Sequence, residues 1–119
     1  KADAIEDEFI KDPGNPEKIA AWNSVQDELL ALDRPSYKDV VDHIDHAVDI
    51  AGIDHVGIGS DFDGIMVPPK GLENVSKIKV VFDEMKRRGY SEKDIDKVAG
   101  GNFLKVFRKV IAVSKEINR

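Results

Sequence analysis

The chain has 119 residues, with 23 acidic and 18 basic side chains, a net charge of −5 and no cysteine. A composition that is 41% hydrophobic and 34% charged, with mean hydropathy −0.36, is that of a globular domain. The acid excess argues against a nucleic-acid surface, and no apolar run approaches the roughly 20 residues of a membrane span. The missing cysteines exclude disulfides, thiolate zinc sites and cysteine nucleophiles.

The opening "KADAIEDEFI" lacks the basic-then-apolar layout of a signal peptide, so the expectation is a cytoplasmic protein with no targeting segment in this stretch. Ala2, Ile5 and Phe9 recur at helical spacing, and "KDPGNPEK" then breaks the pattern. Pro16 suits the first turn of a second helix that carries Ile19, Trp22, Val25, Leu29 and Leu32 on one face. Ser36 followed by Asp39 has the form of a capping box, which predicts a third helix on Val40, Ile44, Ala47, Val48 and Ala51, stopped by Gly52.

"HVGIGS", residues 55–60, reads as the one clear strand, and a long Pro/Gly loop follows it through Ser76. Residues 77–88 predict a helix on Ile78, Val81, Phe82 and Met85, with Gly89 as its stop. The cations Lys86, Arg87 and Arg88 fall in its last turn, where each complements the helix dipole by roughly 0.3–1 kcal/mol. Ser91 with Asp94 repeats the capping-box form and starts a short helix through Val98. "GGN" interrupts, and a last helix over 103–113 follows on Phe103, Leu104, Phe107, Val110 and Ile111.

Six helices and a lone strand make an incomplete inventory, because a single strand leaves its backbone donors and acceptors unpaired on both edges. A strand entered from one helix and left toward another is the mark of a parallel βα unit. Two readings follow: the strand pairs with another molecule, or these residues end a larger α/β domain, which is the expectation adopted. Function collects at the carboxyl ends of parallel strands, and Asp61 and Asp63 stand there, with Gly57 and Gly59 before them and Gly64 after. The plain alternative is a turn, since Asp and Gly after a strand are common turn formers.

The D-x-D-G pattern admits several chemistries. A calcium loop fails, because positions five and twelve hold Ile65 and Leu72 where oxygen ligands are needed. A haloacid-dehalogenase-type phosphatase would use Asp61 and Asp63 around Mg²⁺, but Ile65 departs from its motif and "SEKDIDK" is the only later acidic candidate. A non-enzymatic helical module, binding a partner through the strand edge or the 66–76 loop, is the remaining alternative.

A longer match carries more. "VDHIDHAVDIAGIDHVGIGSDFDGI", "PPKGLENVSK" and "RRGYSEKDIDKVAGGNFLKVFR" resemble, in order and spacing, the carboxy-terminal part of the membrane (renal) dipeptidase family of zinc metallopeptidases. The resemblance runs from about Ser36 to Lys109. It implies an α/β fold, the C-terminal portion of a (βα)8 TIM-like barrel, with residues 1–35 as a helical insertion or peripheral helices and 36–119 as the last βα units and C-terminal helices. It also implies two zinc ions sharing a bridging hydroxide, a dipeptide substrate, the N-terminal part of the barrel as partner, and an arrangement compatible with a homodimer. Asp61 then corresponds to the strand-end catalytic aspartate that handles the proton of the attacking water, while Phe62, Asp63 and Gly64 shape the turn that aims it. The family's zinc ligands lie on earlier segments, so no metal ligand is assigned in this chain and the chain alone is expected to be inactive. His43 and His46, three apart on a helix, have a spacing that can seat a metal but lack a third ligand, and they read as surface helix residues. His55 falls at the amino end of the strand, away from the chemistry.

Overall fold

Side-chain caps at Asn15, Ser36 and Ser91 set the starts of three helices. The structure, a computed structural model, describes residues 2–62 and 64–118. Helix α1 (Ala2–Lys11) and helix α2 (Pro16–Ala31) form a hairpin. The Asn15 side chain accepts from the backbone amides of Glu17 (3.0 Å) and Lys18 (3.4 Å), and Pro16 takes the first turn, where its missing N–H leaves nothing unpaired. The hairpin closes on Phe9 and Trp22, stacked with centroids 5.7 Å apart, and on buried Val25.

Helix α3 (Tyr37–Ala51) starts at the predicted capping box. Asp39 accepts from the Ser36 amide at 2.7 Å, and the Ser36 hydroxyl accepts from Lys38 at 3.2 Å. The helix ends at Gly52, whose φ of +82° is open to glycine at little cost. Helix α4 (Lys79–Arg87) follows a 3₁₀ turn over Val75–Lys77, so the predicted helix over 77–88 is split at its start. Helix α5 (Glu92–Asp96) is capped by Ser91 and runs into a π-helical turn over Lys97–Gly101. Helix α6 (Asn102–Ile117) extends beyond the expected end at 113. None of the helices among the described residues is long and apolar enough to cross a membrane.

The predicted strand over 55–60 is not present. Residues 53–55 make a 3₁₀ turn, and no strand occurs among the described residues, although Val56 has extended backbone angles (φ −107°, ψ 136°). A strand requires a ladder, and among the described residues no strand pairs with this segment. Its polar groups pair elsewhere: the Ile58 amide donates to the Val98 carbonyl (3.1 Å), and the Val56 carbonyl accepts from the Asn102 side chain (2.8 Å). The one β-type bridge among the described residues is parallel and joins Ser36 to Lys70. The fold is therefore mostly helical.

The core gathers Val41 and Ile44 of α3, Val81 and Met85 of α4, Ile95 of α5, and Val56, Leu72 and Val98 from the connections. Each such burial contributes roughly 1.5–3 kcal/mol. Outside this core, α6 exposes Phe103, Val106, Phe107, Val110 and Ile117, each by more than half of its surface. The apolar face expected to pack is thus largely uncovered. The accessible surface of 8541 Å² exceeds by roughly 2,000 Å² the ~6,400 Å² typical of a folded monomer of 13.2 kDa.

Arg88 joins α4 to α3. Its guanidinium donates to Asp42 and Asp45 (2.6 Å each), to Glu84 (2.9 Å) and to the Lys38 carbonyl (3.0 Å). Arg88 stands at the C-cap of α4, the helix end expected for it, and is also a cross-helix tie; its pKa is raised by these acceptors, Asp45 first. Hydrogen bonds from Arg87, and then from Arg88, hold the buried Glu84 carboxyl down at about 2. Burial, and then a 2.6 Å hydrogen bond to Asp45, pushes the Tyr90 hydroxyl up to about 12.

Two outcomes are expected. Met85→Ala, at a fully buried centre, costs about 2–5 kcal/mol and lowers the urea midpoint accordingly. The Glu84 contribution has its own pH window, because the folded-state pKa lies below the unfolded one. It is fully present above about pH 4.5 and is lost as pH falls toward about 2. Urea midpoints measured from pH 5 to pH 2 should fall in the wild type, and should fall less in Glu84→Gln.

Candidate active site

Asp61 terminates the segment that leaves the core at Val56 and Ile58. Its backbone lies in the left-handed region at φ +48°, the one non-glycine residue to do so among those described. Asp tolerates this conformation better than most side chains, because its short polar group interacts with local backbone. The turn closes by a hydrogen bond from the Gly64 amide to the Asp61 carbonyl, 2.9 Å. The carboxylate folds back over Gly64, so that a Cβ built there would lie 2.5 Å from Oδ1 and 2.8 Å from Oδ2. Gly64 therefore clears the space that the carboxylate occupies. Asp61 is exposed, and its carboxylate makes no hydrogen bond to any other described side chain.

Phe62 is half-buried and packs against the core, anchoring the turn from below. Asp63, the other residue assigned to turn shaping, lies outside the described residues. Beside the turn runs a groove of about 200 Å³, lined by Val40, Ile58, Gly59, Ser60, Phe62 and Ile65 among others. Its walls are chiefly apolar side chains and glycine backbone, a surface suited to a small side chain more than to a charge.

The far wall is the 66–74 loop, and residues 33–37 clamp it. The Lys70 amide donates to the Pro35 carbonyl (2.8 Å), and the Tyr37 amide donates to the Lys70 carbonyl (2.9 Å). Arg34 donates to the Pro68 carbonyl and approaches Glu73 at 3.7 Å, while Lys70 pairs with Asp33 at 2.9 Å. Gly71, at φ +84°, fits under the Tyr37 ring, where a Cβ would approach to 2.8 Å. None of these clamp residues was singled out from the sequence. The signal available was only that charged residues adjoin the prolines, Asp33 and Arg34 before Pro35 and Lys70 after Pro69.

The histidines stand apart from this turn. His43 and His46 are exposed on α3, and His55 uses Nδ1–H to donate to the Ala51 carbonyl at 2.8 Å. Among the described residues no group of three His, Cys, Asp or Glu side chains is placed to hold a metal ion.

The chain matches the model of the membrane dipeptidase family, peptidase family M19, over residues 2–119, and it belongs to that family. Among curated relatives it is 42% identical over 83 residues to the dipeptidase verJ of Clonostachys rogersoniana and 45% identical over 85 residues to the dipeptidase aclJ of Aspergillus oryzae. These matches cover 70% and 71% of this chain but only 21% and 20% of the relatives, so it corresponds to about a fifth of their length. A solved structure, the probable dipeptidase PvdM from Pseudomonas aeruginosa, superposes with a TM-score of 0.60 at 33% identity. That match covers 88% of this chain and 30% of the other.

The Gly64 contact yields a test. Gly64→Ala meets only the mobile end of an exposed side chain, so thermal stability changes little, by less than about 1 kcal/mol, while the carboxylate must leave its position. The expected outcome is a shifted Asp61 carboxylate in the variant's crystal structure, with the backbone turn retained.

Proposed function

We propose that this chain is a part of a zinc-dependent dipeptidase, with Asp61 as the group that handles the proton during hydrolysis of a dipeptide. The observation that carries the reading is the combination of family membership over nearly the whole chain with an exposed carboxylate held on a left-handed turn beside a small groove. In this reading residues 1–35 are peripheral helices and residues 36–119 are the last units of a (βα)8 barrel.

Asp61 accepts a proton from the attacking water and returns it to the departing amine. A carboxylate suits both halves of that shuttle, provided both atoms come within hydrogen-bond reach. Phe62 fixes the depth of the turn, Gly64 leaves room for the carboxylate, and the groove receives a substrate side chain. In this reading the ions are held by residues outside this stretch.

The barrel reading also accounts for α6. Its uncovered stripe, together with the excess surface, is what a face contributed to a larger assembly looks like, and the N-terminal part of the barrel is the partner we propose. The chain alone is then inactive.

The test uses Asp61→Asn in the complete zinc-loaded enzyme. Asn keeps the size of the side chain and its tolerance for the left-handed backbone, so only the proton chemistry is removed. The expected outcome is a fall in kcat of about 10²–10⁴-fold with zinc content unchanged. Undiminished turnover would remove Asp61 from the mechanism.

A further inference from the structure

Among the described residues the segment that carries Asp61 pairs with no strand, and three hydrogen bonds tie it to the α5–α6 junction. We infer that Asn102 is a positioning residue for Asp61, acting through the backbone of residues 53–58; this rests on the reading of Asp61 as the proton-handling group.

Asn102 is buried at the first residue of α6, and its Nδ2 donates to two carbonyls, Ile53 at 2.7 Å and Val56 at 2.8 Å. A carbonyl only accepts, so the amide nitrogen must face both, and its two hydrogens are consumed. The third bond runs from the Ile58 amide to the Val98 carbonyl, 3.1 Å. Apolar packing of Val56 sets how deep the segment sits, but it discriminates weakly against a slip along the chain. An amide that spans carbonyls three residues apart accepts one register only.

The preceding turn delivers Asn102 to this place. A Cβ on Gly101 would stand 3.0 Å from the Asp96 carbonyl, so the turn over Lys97–Gly101 closes with a glycine at that point. "GGN", which interrupts the helical pattern in the sequence, is thus one device: the glycine lets the turn close, and the asparagine grips the segment. Downstream, only Gly59 and Ser60 separate the last of the three bonds from Asp61. The carboxylate is therefore held no better than its upstream anchor and Phe62 hold it.

The experiment compares Asn102→Asp, Asn102→Ala and Asn102→Ser with Val25→Ala, a core truncation in the α1–α2 hairpin, all in the complete zinc-loaded enzyme. Asp preserves shape and removes both donors; Ser restores one; Ala removes the group. The expected result is a fall in kcat of about 10- to 100-fold for Asp and Ala, with KM and zinc content within about twofold of wild type. Ser should fall between these variants and the wild type, and Val25→Ala should leave kcat unchanged at temperatures where it is folded. Independently of turnover, amide exchange at Gly57, Ile58 and Gly59 should quicken at least about tenfold in Asn102→Ala, while exchange in α3 stays as it was. If Asn102→Asp fails to fold, Asn102→Ala carries both readouts. Wild-type kcat with undisturbed exchange in the Asn102 variants overturns the inference while the Asp61→Asn result stands. A loss of kcat in Val25→Ala equal to that in Asn102→Ala overturns it as well, by showing a general stability effect. Full activity of Asp61→Asn overturns both readings together.

Discussion

Backbone polar groups that leave water need partners, and in residues 53–60 that need centres on buried Val56 and half-buried Ile53 and Ile58. Their apolar side chains draw them into the core at Val56, yet among the described residues no strand lies alongside to accept their hydrogen bonds. The α5–α6 junction supplies the partners instead, through the Val98 carbonyl and the Asn102 amide. That contact orders the path to Asp61, sets where α6 begins and, through α5, connects both to the α3–α4 core. Much of the architecture can be read outward from this one act of hydrogen-bond replacement.

Two tiers of organisation follow. The inner tier is apolar and dense, with Met85, Val41, Val81 and Val98 fully enclosed. The outer tier is ionic, and Arg88 is its centre, since one guanidinium reaches acceptors on both α3 and α4. Isolated surface ion pairs contribute little, because solvent screens them and long side chains lose freedom. Arg88 differs in that several acceptors converge on one rigid fork, one of them the buried Glu84. The clamp of residues 33–37 on the 66–74 loop repeats the design on a smaller scale, with backbone bonds doing the joining and Arg34 reinforcing them.

The helices were legible because their signals are local. Ser36 with Asp39, Ser91 before Asp94 and Pro16 after Asn15 each specify an end from neighbours a few residues away. The strand was misread because its evidence was also local, whereas a strand exists only by pairing with something distant. "HVGIGS" has strand composition and no ladder. The Asp61 turn could be located from its D-x-D-G pattern, but the positive φ and the clearance over Gly64 are three-dimensional facts that no spacing encodes. Asn102 was passed over for the same reason. In the sequence it is a polar residue beside two glycines, and its acceptors lie 46 and 49 positions away. Arg88 was noticed and given too small a role, since its acids on α3 are equally remote.

The left-handed backbone at Asp61 narrows what evolution can do with this position. The conformation admits glycine, asparagine and aspartate readily and penalises longer or branched side chains. The proposed chemistry admits only carboxylates. Glutamate meets the second demand and fails the first; asparagine does the reverse. Aspartate alone satisfies both, so drift at this position has no neutral neighbour to pass through. A relative with any other residue there would need both a rebuilt turn and a different route for the proton.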